Sequence, residues 1–181
     1  MNGILRFFAI LCVAVGLTNC ETPPVNRTTT QPLQTVNQVD LERYTGVWFE
    51  IARYENSFER DCVAVTATYS KNSDDSIKVV NRCRHQTLVG EEKISEGRAS
   101  VVDMQSNARL SVSFFWPFSG DYWVIGLAED YSWALVGEPT GRYLWILSRT
   151  SHLTDETKAH LIAKLIAQGY NTKALHWTLQ P

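Results

Sequence analysis

Arg109-Leu110-Ser111-Val112-Ser113-Phe114-Phe115 alternates polar and apolar side chains almost residue by residue. Leu110, Val112 and Phe114 share one face of an extended chain while Arg109, Ser111 and Ser113 share the other, which is the period of a strand with one wet side. The same short, β-rich pattern recurs around it, and strands are expected at 47–53, 62–71, 77–86, 94–103, 108–115, 121–129, 132–138 and 143–150. Turn formers fill the gaps: Asn72-Ser73-Asp74-Asp75, Ser106-Asn107, Pro117 with Gly120, and Glu138-Pro139-Thr140-Gly141. Eight antiparallel strands at this spacing make an all-β sandwich or an up-and-down barrel.

After the strands the period becomes helical. Thr154 is the expected N-cap, Asp155 and Glu156 suit the positive end of the helix dipole, and Gly169 marks the stop. Leu161, Ile162, Leu165 and Ile166 form an apolar stripe, whereas Lys158, His160, Lys164 and Gln168 occupy the other face. Such a helix packs on one surface only, here expected to be the outside of the sheet. His176 and Trp177 fall in a short closing segment.

The 181 residues are 44% hydrophobic and 20% charged, a globular composition, and 17 basic against 19 acidic side chains leave no basic field for nucleic acid. Arg6 followed by the apolar run Phe7 to Val15 reads as a secretory signal, too short for a permanent membrane helix. It ends in Leu17-Thr18-Asn19-Cys20, which resembles the bacterial lipoprotein signal and implies that Cys20 becomes the acylated first residue. Ordinary secretory cleavage with Cys20 as a free thiol is the alternative. Glu21 to Gln38, rich in Thr, Pro, Gln and Asn, is expected to be a flexible tether. The chain thus divides into a signal peptide at 1–19, a tether at 20–38 and one folded domain at 39–181.

Cys12 leaves with the leader and Cys20 carries lipid, so Cys62 and Cys83 remain as a pair in an oxidising compartment. A disulfide there closes a loop of about 22 residues and stabilises by roughly 3 kcal/mol in the chain-entropy view. The two cysteines lie symmetrically about the Asn72 to Asp75 turn, which brings them face to face across a hairpin. Their phases disagree, because Val63 and Val65 put Cys62 on the opposite side while Ile77 and Val79 put Cys83 on their own; a bulge is expected to reconcile them.

Three short motifs then stand in order. Gly46-Val47-Trp48 opens the first strand, Glu129-Asp130-Tyr131 follows the sixth, and Arg149 closes Leu144-Trp145-Ile146-Leu147-Ser148-Arg149. They resemble the Gly-x-Trp, Thr-Asp-Tyr and arginine motifs of the lipocalin family, with Glu129 in place of threonine. Tyr44 to Arg53 and Ser113 to Phe118 look particularly like the bacterial outer-membrane lipoprotein lipocalins, and apolipoprotein D and plant temperature-induced lipocalins are similar relatives. The resemblance implies an eight-stranded antiparallel up-and-down β-barrel with the C-terminal helix packed outside.

Strand parity puts Gly46, Trp48, Asp130, Tyr131 and Arg149 at one end, as a plug with the Arg149 guanidinium over the Trp48 ring. The other end receives residues 54–61, 87–93, 116–120 and 139–142 and is expected to be the mouth. Its Phe58, Trp116 and Phe118 either form a contact surface or fold inward as a lid. Expected ligand-binding residues are Tyr69, Val112, Phe114, Tyr122, Tyr143 and Trp145 along the wall, with Phe58 and Trp116 at the rim and Arg60 as a head-group cation.

The family resemblance implies a fatty acid or lysophospholipid in the barrel, carried or stored, and a lipid-anchored place at the outer membrane; a homodimer stays open. A packed barrel serving as a structural or partner-binding envelope lipoprotein is the alternative, and a lipid-modifying enzyme a more distant one. No catalytic residues, metal ligands or cofactor are expected: nucleophile elbows, metal-binding histidine spacing, phosphate loops and Cys-x-x-Cys are all missing, and His85, His152, His160 and His176 are scattered. Replacing Cys20 by serine is expected to move the protein from the membrane to the soluble fraction with the barrel intact, as read by fractionation and circular dichroism.

Overall fold

Residues 22–181 are described in the computed structural model; the signal peptide and Cys20 lie outside them. A one-turn helix α1 (Leu41–Tyr44) precedes eight strands: β1 (Gly46–Tyr54), β2 (Cys62–Lys71), β3 (Ile77–His85), β4 (Glu92–Val101), β5 (Arg109–Phe115), β6 (Phe118–Leu127), β7 (Trp133–Gly137) and β8 (Leu144–Ser148). Helix α2 (Asp155–Ala167) and a short strand β9 (Leu175–Trp177) follow. From β1 to β8 each strand pairs antiparallel with the next, and β1 pairs with both β2 and β8, so the sheet closes into an up-and-down barrel.

Alternation sorts the side chains into two cores. Trp48, Tyr69, Val79, Ala99, Leu110, Val124, Val136 and Leu147 pack inside the barrel. Ile51, Ile125, Leu135, Leu144 and Ile146 face outward and are covered by Leu161 and Leu165 of α2. The helix begins as its sequence suggests, with the Thr154 side chain accepting from the Thr157 amide. It stops at Gly169, whose φ of +84° favours glycine.

The barrel closes differently at its two ends. Residues Gly46 to Phe49 of β1 pair directly with Thr66 to Tyr69 of β2. Beyond them the strands separate, and the C-terminal segment fills the seam. β9 pairs with Ala52 to Tyr54, the Ala64 amide donates to the Leu179 carbonyl, and the Gln180 side-chain amide donates to the carbonyls of Glu50 and Val65. The closing segment read around His176 and Trp177 is therefore part of the wall.

Three expectations change. Cys62 and Cys83 form the disulfide, with Cα atoms 5.5 Å apart, but they are not opposite each other: Cys62 faces His85 in the register and Cys83 faces Lys93 of β4. An irregularity between Val63 and Thr66, with Ala64 at φ 49°, shifts the register and turns both sulfurs to one side. The β5–β6 hairpin turns at Trp116-Pro117, and Phe118 to Gly120, expected as loop, extend β6 with Phe118 opposite Phe115.

The expected tether is not free over its described part, because its backbone finds partners on the barrel: the amides of Asn26, Thr28 and Val36 donate to the carbonyls of Gly141, Gly169 and Val124. Leu33 is buried with the α2 core. A polar composition argued for a coil only because these partners are distant in sequence. Leu165→Ala removes a fully buried side chain joining helix to barrel, and is expected to lower stability by about 2–5 kcal/mol in chemical denaturation with the barrel's circular dichroism retained.

Candidate ligand-binding barrel

One end of the barrel is sealed by a cation lying on an indole. Trp48 is wholly buried, and the Arg149 guanidinium carbon sits 3.8 Å from its ring centroid. The same guanidinium donates to the carbonyls of Val47 (2.8 Å), Arg43 (2.7 Å) and Tyr131 (3.3 Å), tying the first strand, α1 and the β6–β7 loop together. Gly46 adopts φ +93° directly against this cation, so the motif's glycine has a backbone reason. Asp130 accepts from the Ser132 amide, which holds its carboxyl below the usual range, and the Tyr131 hydroxyl accepts from the Asp40 amide. Glu129, the departure from the family pattern, contributes its carbonyl to Arg43 at 2.8 Å.

Above this seal three phenols meet. The Tyr122 hydroxyl is 2.9 Å from those of both Tyr44 and Tyr69. Burial raises all three, Tyr69 to about 12, because an isolated phenolate inside an apolar tube loses its water. Tyr44 comes from α1, whose N-cap Asp40 accepts from the Glu42 and Arg43 amides. The sequence reading put Tyr69 and Tyr122 in the wall but missed Tyr44, which no strand periodicity could reach.

Higher up, the inner face is incompletely covered at Val112 and Trp145, which are only partly buried although they pack against the interior core. Phe114 lies against Gly97 of the neighbouring strand, where a Cβ would come 2.8 Å from the ring. Its exposure of 37% shows how close it stands to the open end. Tyr143 stacks on Trp145 with centroids 5.9 Å apart and planes 6° from parallel, and Phe58 caps Tyr143 at 5.8 Å. Of the rim residues, Phe58 thus touches the aromatic stack, while Trp116 at 91% exposure touches solvent and does not fold inward. Arg60 is exposed.

The larger omission was a buried polar cluster beside that stack. A register shift between Glu50 and Ala52 puts an extra residue into β1, so Glu50 and Arg53 both point inward, opposite Leu147 and Trp145. Arg53 donates to the Glu50 carboxylate (2.9 Å) and the Glu59 carbonyl (3.0 Å); Thr178 also donates to Glu50, at 2.5 Å. The Trp145 indole donates to Glu59 at 3.1 Å. Burial, and then Glu59, push the Glu50 carboxyl well above its ordinary range against the pull of Arg53. Arg53 Nε and Asn81 Oδ1 remain buried without partners. The sequence signal was two charges, Glu50 and Arg53, inside an otherwise apolar strand.

A family model described as a lipocalin-like domain matches residues 39–180. The chain is a lipocalin. It is 40% identical to the outer membrane lipoprotein Blc of Citrobacter freundii over 98% of both chains. It is 38% identical to temperature-induced lipocalin-1 of Arabidopsis thaliana over 82% of this chain and 83% of the relative. Among solved structures, insecticyanin from Manduca sexta superposes with a TM-score of 0.66 at 18% identity, covering 82% of this lipocalin and 84% of its own chain, a likeness of fold alone. Its Blc relatives give this lipocalin a lipid-anchored place at the outer membrane. Among the described residues no group of His, Cys, Asp or Glu is arranged to hold a metal ion.

Above about pH 10 an unfolded chain releases phenolic protons that the folded barrel keeps. The phenols' contribution to stability is therefore full below pH 10 and is expected to fall as pH climbs through about 12, read as a declining thermal midpoint. Tyr122→Phe strips two buried hydroxyls of their partner, with an expected cost of about 1–3 kcal/mol at neutral pH.

Proposed function

We propose that this lipocalin binds a single-chain amphiphile, a fatty acid or lysophospholipid, inside its barrel and carries or stores it at the outer membrane without chemically altering it. Its family consists in general of binding and transport proteins. The observation that carries the reading is the division of the inner face: it is apolar and incompletely covered at Val112 and Trp145, and beside the aromatic stack stands the buried Arg53 cation among the carboxylates of Glu50 and Glu59.

An acyl chain fits the first surface and an anionic or zwitterionic head group the second. Burying about 14 methylenes contributes roughly 11 kcal/mol before ordering and association costs, enough for micromolar binding. In this reading Val112, Phe114 and Tyr122 contact the chain, Tyr69 closes the lower end, and Tyr143 with Trp145 brackets the head-group region. Phe58 and Trp116 line the entrance. Cys20 carries the acyl groups that hold the protein at the membrane.

Titration of the delipidated protein with lysophosphatidylcholine is expected to give a saturable change in tryptophan fluorescence. Trp145→Ala is expected to remove most of that signal and to weaken binding, measured calorimetrically, by about tenfold, close to 1.4 kcal/mol. Absence of saturable binding to any single-chain lipid would overturn the reading.

A further inference from the structure

The described chain begins beside the mouth. Glu138 accepts from the amides of Thr140 (2.7 Å), Arg142 (2.6 Å) and Tyr143 (3.1 Å), which makes the β7–β8 loop a rigid platform. Arg142 in turn donates to the Pro23 carbonyl at 2.5 Å, and the Asn26 amide to the Gly141 carbonyl at 2.9 Å. Residues 26–29 are further held by Gly169, Asn171 and the Arg27 hydrogen bond to the Gln168 carbonyl. The strap needs glycine beneath it: a Cβ at Gly141 would collide with Arg27, and one at Gly169 with Thr29.

Cys20 stands three residues before Pro23, so its Cα lies within about 11 Å of that platform even in a fully extended chain. The barrel wall, built from strands of nine and ten residues such as β1 and β2, is about 30 Å long. An anchor on Cys20 therefore emerges at the mouth and cannot reach the sealed end.

The same end exposes apolar side chains on three loops. Val89 is 94% exposed, Trp116 91%, Phe115 80% and Phe58 63%. A soluble surface has no use for such a cluster, whereas the head-group boundary of a bilayer accepts indole and phenyl rings readily.

We infer that the strap holds the barrel mouth-down, with the aromatic rim seated in the lipid bilayer that carries the anchor. The occupant of the rim is phospholipid, and a ligand passes between bilayer and barrel without crossing water. This inference rests on acylation of Cys20, taken from the proposed function, and is independent of which amphiphile the barrel binds.

The test uses the full acylated chain in vesicles of phosphatidylethanolamine and phosphatidylglycerol, with an environment-sensitive dye on Val89→Cys at the mouth or on Met104→Cys at the sealed end. Brominated acyl chains are expected to quench the dye several-fold more at 89 than at 104, and Phe115→Ser with Trp116→Ser and Phe118→Ser to abolish that difference while circular dichroism stays unchanged. Equal quenching at both positions in vesicle-bound protein overturns the orientation and leaves lysophospholipid binding, measured separately, standing. A blue shift at 89 without bromine quenching assigns the rim to a second copy or another protein and overturns the inference. Protein that does not stay with the vesicles overturns it through its anchor, again without touching the barrel's ligand.

Discussion

Closing the barrel falls to β1, which takes hydrogen-bond partners from three different neighbours. Direct pairing with β2 serves its first half, β8 serves the other side, and β9 with the C-terminal tail serves the remainder. The change of partner coincides with the irregularity at Glu50 to Ala52. That irregularity turns Glu50 and Arg53 into the interior together. The polar wall of the cavity is thus a consequence of how the barrel closes, and Thr178 of the tail completes it.

The two ends of the tube follow opposite physics. At the base Arg149 binds three carbonyls from separate segments while lying on the Trp48 ring, whose indole donates to the Tyr44 carbonyl. Three such charge-assisted bonds from one planar guanidinium give the base one arrangement. At the mouth the aromatic groups are stacked on each other or left in solvent, held by contacts that cost little to rearrange. A rigid floor below an adaptable entrance suits the capture of an acyl chain proposed above. The strap between Pro23 and Thr29 is tied to the mouth end, which in the proposed reading puts attachment and opening on one side of the molecule.

Much of the frame was legible in the linear order. Period-two alternation located the strands, as at Leu110, Val112 and Phe114, and the motif spacing located Trp48 and Arg149 at one end. Outside those motifs, legibility failed where a partner came from far along the chain. The Cys62–Cys83 offset depends on a register shift centred on Ala64, whose amide is claimed by Leu179. The segment at 22–38 looked like a coil because its partners, Gly141, Gly169 and Val124, lie over eighty residues away. Tyr44 joined the phenol cluster through a single helical turn that strand periodicity does not describe.

Taken alone, the sequence determined the eight strands of the barrel, the amphipathic helix and the lipocalin motifs, because each depends on spacings of a few residues along one backbone. Tertiary structure alone decided which charges became buried, how the tail sealed the wall and at which end the N-terminal strap came to rest. Those outcomes follow from closing the sheet, and closure is a condition on the whole chain that no local window contains.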